Sequence, residues 1–93
     1  MRNYEAMCVF RPEDDLFRAG VEQIREELKG FGGEIEKEED MGQRALAYPI
    51  NKIQQAHYYY YVVKMDPEKA HQSEKKLRMR DELLRFMMVR QDD

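Results

Sequence analysis

The chain has 93 residues and a formal charge of −3, with 38% charged and 42% hydrophobic residues. That length implies one domain over residues 1–93, able to bury roughly 60–65% of its unfolded surface and to fold without covalent staples. The single cysteine excludes an internal disulfide, and no run approaches the ~18 apolar residues of a membrane span.

In chain order, Arg2 to Phe10 alternates Tyr4, Ala6, Cys8 and Phe10 against Asn3, Glu5, Met7 and Val9, which predicts a strand with the first set facing a core. Pro12 with Glu13, Asp14 and Asp15 supplies a helix start, the acids lying near the positive end of the helix dipole. Phe17, Val21, Ile24, Leu28 and Phe31 then form one helical stripe. Gly20 inside it costs about 1 kcal/mol relative to alanine, and Gly30, Gly32 and Gly33 end the helix.

A second strand begins near Glu34, where Ile35 stands alone among charges, as at a sheet edge. Gly42 marks a bulge or bend, and a bulge resets inside–outside parity, so the sequence leaves open whether Leu46 or Tyr48 faces the core. Pro49 supports an edge position, since it cannot donate to a ladder. After a break over Asn51 to Ala56, a third strand puts Tyr59, Tyr61, Val63 and Met65 on one side and Tyr58, Tyr60, Val62 and Lys64 on the other. Asp66-Pro67-Glu68 fits N-cap, first helical position and acidic first turn of a polar helix to about Arg78, with Ala70, Ser73 and Leu77 inward. Leu83 to Arg90 reads as a fourth strand, Leu84, Phe86 and Met88 alternating with Arg85, Met87 and Val89.

Two βαβ units joined by a hairpin, with right-handed crossovers, give an α+β fold. It is a ferredoxin-like split β-α-β sandwich, a four-stranded antiparallel sheet of order 4-1-3-2 with both helices on one face. The other face would carry Met7, Val9, Tyr58, Tyr60, Val62, Met87 and Val89, more apolar surface than a solitary monomer tolerates, so a partner surface is expected there.

Catalytic constellations are missing. The chain has no threonine, one serine (Ser73), one cysteine (Cys8) and two histidines (His57, His71), with no nucleophile–base spacing. Cys8, mid-strand on the core face, reads as a buried structural thiol, and both histidines read as surface residues, not zinc ligands. The acidic run Glu36 to Asp40 alternates across a strand and reads as a solvated edge, not a magnesium or calcium site. Gly30-Phe31-Gly32-Gly33 follows a helix, the wrong polarity for cradling phosphate. No enzyme activity, cofactor, metal or small-molecule substrate is expected. The opening Met1-Arg2-Asn3-Tyr4-Glu5 is not a signal peptide, so the expected compartment is the cytoplasm, away from membranes. Charge is divided: residues 1–43 carry 6 basic against 12 acidic side chains (−6) and residues 44–93 carry 10 against 7 (+3). A basic C-terminal half keeps RNA binding open, because phosphate responds to local potential.

Met1-Arg2-Asn3-Tyr4-Glu5, Arg44-Ala45-Leu46-Ala47-Tyr48-Pro49-Ile50, the tyrosine-rich third strand and Leu77-Arg78-Met79-Arg80-Asp81 together resemble a known family, the sixth protein of the bacterial small ribosomal subunit, over nearly the whole chain. The resemblance implies the same fold and a non-enzymatic role in the ribosome. It also implies binding to the central domain of 16S ribosomal RNA as a heterodimer with the eighteenth small-subunit protein. Carried over by position, the RNA contacts are Arg2, Arg44, Tyr48, Arg78, Arg80, Arg85 and Arg90, arginine being suited by its planar fork to phosphate and to stacking on bases. The bland reading of Arg78 and Arg80 is surface pairing with Asp81 and Glu82. Tyr58, Tyr60, Val62, Met87 and Val89 are the expected protein-partner residues. Many members carry a longer acidic tail, whereas this chain ends Gln91-Asp92-Asp93, so no function is expected of a tail. The competing class is a homodimeric ferredoxin-like regulatory or small-molecule-binding domain.

Overall fold

The structure, a computed structural model, describes residues 1–91; Asp92 and Asp93, and with them the end of the short tail, lie outside the described residues. Strands β1 (Arg2–Phe10), β2 (Glu34–Ile50), β3 (Ile53–Met65) and β4 (Leu83–Arg90) alternate with helices α1 (Asp14–Gly30) and α2 (Pro67–Leu77) as β1-α1-β2-β3-α2-β4. The sheet runs β2-β3-β1-β4 with every neighbouring pair antiparallel, which is the expected 4-1-3-2 read from its other edge.

Pleat alternation builds the core. Tyr4, Ala6, Cys8 and Phe10 of β1 and Tyr61, Val63 and Met65 of β3 are buried against Phe17, Val21, Ile24 and Leu28 of α1 and Ala70 and Leu77 of α2. Both helices therefore cover the same sheet face. The Tyr61 hydroxyl reaches into α1 and donates to the Val21 carbonyl at 2.8 Å. Ser73, the buried polar side chain of α2, is satisfied by donating to the Ala70 carbonyl at 2.8 Å.

The helix termini follow the sequence with differences in detail. Glu13 and Asp66 are the extended N-cap residues of α1 and α2, but neither makes a side-chain capping bond. The end of α1 is a Schellman turn in which Gly33 N donates to Leu28 O and Gly32 N to Lys29 O, with Gly32 left-handed at φ +81°. Gly30 belongs to the helix itself. Gly33 is needed for space, since a Cβ there would lie 2.7 Å from the Leu28 carbonyl oxygen.

The break between β2 and β3 is shorter than the sequence implies. It is a two-residue turn, Asn51 and Lys52 at φ 50° and 66°, and β3 begins at Ile53. Paired positive φ values match the right-handed twist of a hairpin. Gln54 and Gln55 look like loop residues in the sequence, yet they sit in a strand because the end of the hairpin is exposed. In β2 the register shifts between Asp40 and Gly42, with Gly42 at φ +81°, which is the anticipated bulge. No helix among the described residues is long and apolar enough to cross a membrane.

Candidate nucleic-acid and partner interface

Strand register fixes which side chains share the helix-free face. Across the sheet from β4 to β2, one row is Arg85, Val9, Tyr58 and Gly42; the next is Met87, Met7, Tyr60 and Glu39; the third is Val89, Glu5, Val62 and Lys37. Met87 and Val89 are 57% and 56% exposed. The centre of this face is apolar toward β4 and charged toward β2.

Beyond the Phe10–His57 pair, β2 and β3 continue without β1 as a two-stranded arm. Leu46, Ala47, Tyr48 and Ile50 of the arm line a groove of about 170 Å³ together with Val9, Tyr58 and Arg85. Residues of all four strands meet there, so the arm bends over one end of the open face. Neither Leu46 nor Tyr48 joins the helix-side core; Leu46 is half-buried and Tyr48 is 71% exposed. Val9 and Ala56, 7% and 0% exposed yet outside the helix-side core, are also covered at this end of the sheet.

The base of the arm is clamped to α1. Asp40 Oδ1 lies 2.5 Å from His57 Nε2 and accepts from the Gly42 amide at 2.9 Å, while the His57 ring stacks on Phe17 with centroids 3.5 Å apart and planes 10° from parallel. Gln43 donates to the Pro12 carbonyl at 3.2 Å. Burial pushes the Asp40 carboxyl upward, but the bonds from His57 and the Gly42 amide outweigh it and hold the group below its ordinary value. His57 is thus no plain surface histidine, whereas His71 is exposed. Nor is the acidic run only a solvated edge: Glu38 takes a fork from Arg25, Nε to Oε2 and Nη2 to Oε1 both at 2.8 Å, and a third bond from the Tyr59 hydroxyl at 2.7 Å.

The expected RNA-contact residues fall into separate groups. Tyr48 and Arg85 line the arm groove, and Arg44, exposed, precedes it with Nε donating to the Met41 carbonyl at 3.4 Å. Arg78 and Arg85 line a second hollow with Leu84, Phe86 and Met87. Arg2 and Arg90, both exposed, lie at the opposite end of the sheet, next to Met65 and Tyr4 in register. Arg78 pairs at 3.1 Å with Glu74, not with Asp81. Arg80 pairs with Glu82 at 3.0 Å, one of the pairings foreseen, and also with Glu27 at 2.7 Å, which sequence reasoning missed. Arg80 is therefore a brace from α1 to the α2–β4 connection, its side chain only 21% exposed. On the open face the Tyr60 hydroxyl donates to Glu5 Oε1 at 2.7 Å. The partners in Arg25–Glu38, Arg80–Glu27 and Tyr60–Glu5 stand 13, 53 and 55 residues apart in the chain, and the fold, not local spacing, brings them together.

The profile of the family described as Ribosomal protein S6 matches residues 3–90. The chain belongs to that family. It is 37% identical over 93 residues to the small ribosomal subunit protein bS6 of Treponema denticola, covering all of both chains, and 35% identical over 95 residues to that of Thermus thermophilus, covering all of this chain and 94% of the other. The crystal structure of 30S ribosomal protein S6 from Thermotoga maritima superposes with a TM-score of 0.88 at 27% identity, over 97% of this chain and 87% of that one. The C-terminal domain of the MgtC protein from Mycobacterium tuberculosis shares the fold alone, with a TM-score of 0.66 at 9% identity. The Ribosomal protein S6 family is one of structural ribosomal proteins, not of enzymes, and the chain is accordingly a small-subunit protein of the cytoplasmic bacterial ribosome.

Proposed function

We propose that the chain binds the central domain of 16S ribosomal RNA as a heterodimer with the eighteenth small-subunit protein and performs no catalysis. The observation that carries this reading is the helix-free sheet face, with Met87 and Val89 more than half exposed on its edge strand β4 and Arg85 at its arm end. Covering the exposed half of one such apolar side chain stabilises a complex by about 1 kcal/mol. Tyr58, Tyr60, Val62, Met87 and Val89 form the protein-partner surface in this reading.

Arg44, Tyr48, Arg78 and Arg85 form the main RNA rim, and Arg2 and Arg90 contribute at the far end. Arg80, already held between two carboxylates, contributes least. With a net charge of −3, the chain alone binds RNA weakly, and the partner supplies much of the phosphate neutralisation. A salt titration of binding to a central-domain RNA fragment, with and without the partner, tests this. The partner should raise affinity and steepen the slope; equal affinity in both arms refutes the heterodimer. Replacing Arg44 and Arg85 with alanine should flatten the slope by about 0.7–0.9 for each phosphate that is no longer neutralised.

A further inference from the structure

We propose that Glu5 is the electrostatic anchor of the open face, and that its carboxylate receives one arginine or lysine set among apolar side chains of the protein that covers the face. The inference rests on the heterodimer reading and specifies the chemistry of the partner's contact patch.

Glu5 is the acid set within the apolar β1–β4 part of this face; Glu39 lies farther out on β2, beyond Tyr60. Glu5 lies opposite Val62 on β3 and Val89 on β4, and the adjoining row on the same face holds Met7 between Tyr60 and Met87. Its Oε1 accepts from the Tyr60 hydroxyl at 2.7 Å and from Gln91 Nε2 at 3.4 Å, while Oε2 accepts nothing among the described residues. One oxygen is held by the sheet and the other is left for an incoming group. The bond to Glu5, reinforced by burial, holds the Tyr60 hydroxyl above its ordinary pKa, so it remains a donor that orients the carboxylate.

No cation of the chain meets this charge among the described residues. On the same face Lys37 lies opposite Val62 and pairs with Glu39 at 3.9 Å, and Lys64 lies opposite Asn3. While the face is wet, water satisfies Oε2. Once an apolar surface covers Met7, Val62, Met87 and Val89, the carboxylate loses that water and must gain a positive partner or oppose docking. The same charge repels phosphate, so the face is divided: RNA takes the arginine rim, and a basic protein patch takes the centre.

The test is calorimetric titration of the chain with the eighteenth small-subunit protein, using Glu5→Gln, Glu5→Lys and Tyr60→Phe. Glu5→Gln keeps shape and the Tyr60 bond but removes the charge, and should weaken binding about tenfold; Glu5→Lys should weaken it about a hundredfold. Tyr60→Phe keeps the charge but frees its orientation, and should cost several-fold, which keeps the test open if a Glu5 variant fails to fold. Binding of Glu5→Gln within twofold of the parent overturns the inference, whereas a parent chain that does not bind the partner at all overturns the heterodimer reading instead. Two further results would reassign the occupant and overturn the proposal: tighter binding of Glu5→Gln to RNA without the partner, or a dimer of the parent chain that Glu5→Gln dissolves.

Discussion

Gly20→Ala separates local helix preference from packing. Gly20 is buried in the middle of α1, where alanine would favour the helix by about 1 kcal/mol. A Cβ built there lies 2.5 and 2.8 Å from Phe10 Cε1 and Cδ1 and 3.3 Å from Glu82 Cβ. The Phe10 ring has no room to yield, being fully buried and held edge-on by Phe17 with centroids 5.4 Å apart at 87°. Overpacking of this kind costs about 1–3 kcal/mol, so the net effect is a loss of about 1 kcal/mol, or roughly 4–8 °C in Tm for a domain of this size. Urea and thermal unfolding measure it, with Gly30→Ala as control, since a Cβ at Gly30 meets nothing within 4 Å and should give a gain of up to about 0.5 kcal/mol. A Gly20→Ala chain more stable than its parent refutes the close-approach argument.

Glu38 supplies a pH test. Its carboxyl is held low by the Arg25 hydrogen bond above all, with a smaller contribution from the Tyr59 hydroxyl, which is itself pushed up to about 12 by burial and by Glu38. A depressed folded-state value contributes stability that is complete above the unfolded carboxylate value of about 4.3 and is lost as pH falls through the folded one. Glu38→Gln should cost about 1–2 kcal/mol at pH 7 and flatten the loss of stability as pH falls below the unfolded carboxylate value of about 4.3; superimposable pH profiles would show that the fork contributes nothing. Arg80→Ala, which leaves Glu82 without its cation and Glu27 with only Lys76 at 4.0 Å, should cost about 2 kcal/mol in urea unfolding, whereas Arg78→Ala, removing an exposed pair with Glu74, should stay within about 0.5 kcal/mol. Similar losses from both would contradict the brace. Cys8 is fully buried and its thiol is pushed far up by that burial, so a disulfide reagent should label it only as fast as the chain opens, and rapid labelling of folded protein would be inconsistent with the core.

Much of this architecture was legible because burial is periodic. The alternation in β1, the α1 stripe from Phe17 to Leu28 and the inward set of α2 each predicted the buried face by residue. Legibility failed where periodicity was absent or reset. Gln54 and Gln55 hid the start of β3, because both are exposed and so carry no apolar alternation. The Gly42 bulge scrambled parity, so the fate of Leu46 and Tyr48 had to come from the bend of the arm. The helix-free face was foreseen from the strand order, yet Glu5 within it was not singled out, since an acid in an alternating strand looks like ordinary solvent-facing polarity. Arg80, carried over as an RNA contact, shows no sign in the sequence of its brace to α1, because its carboxylate there, Glu27, is 53 residues away. Composition and spacing constrain which face is buried, but which charges find each other is decided only when the register is set.

The strand order also bears on how this protein is made. β1 is synthesised first but lies between β3 and β4, so its two neighbours, residues 53–65 and 83–90, emerge from the ribosomal tunnel only later. A nascent chain holds its central strand with both edges bare until synthesis is nearly complete, and a chain truncated before residue 83 keeps an unpaired, largely apolar edge on β1. Such a fragment is a template for aggregation, which makes stalled synthesis of this chain hazardous in a way that its finished form is not.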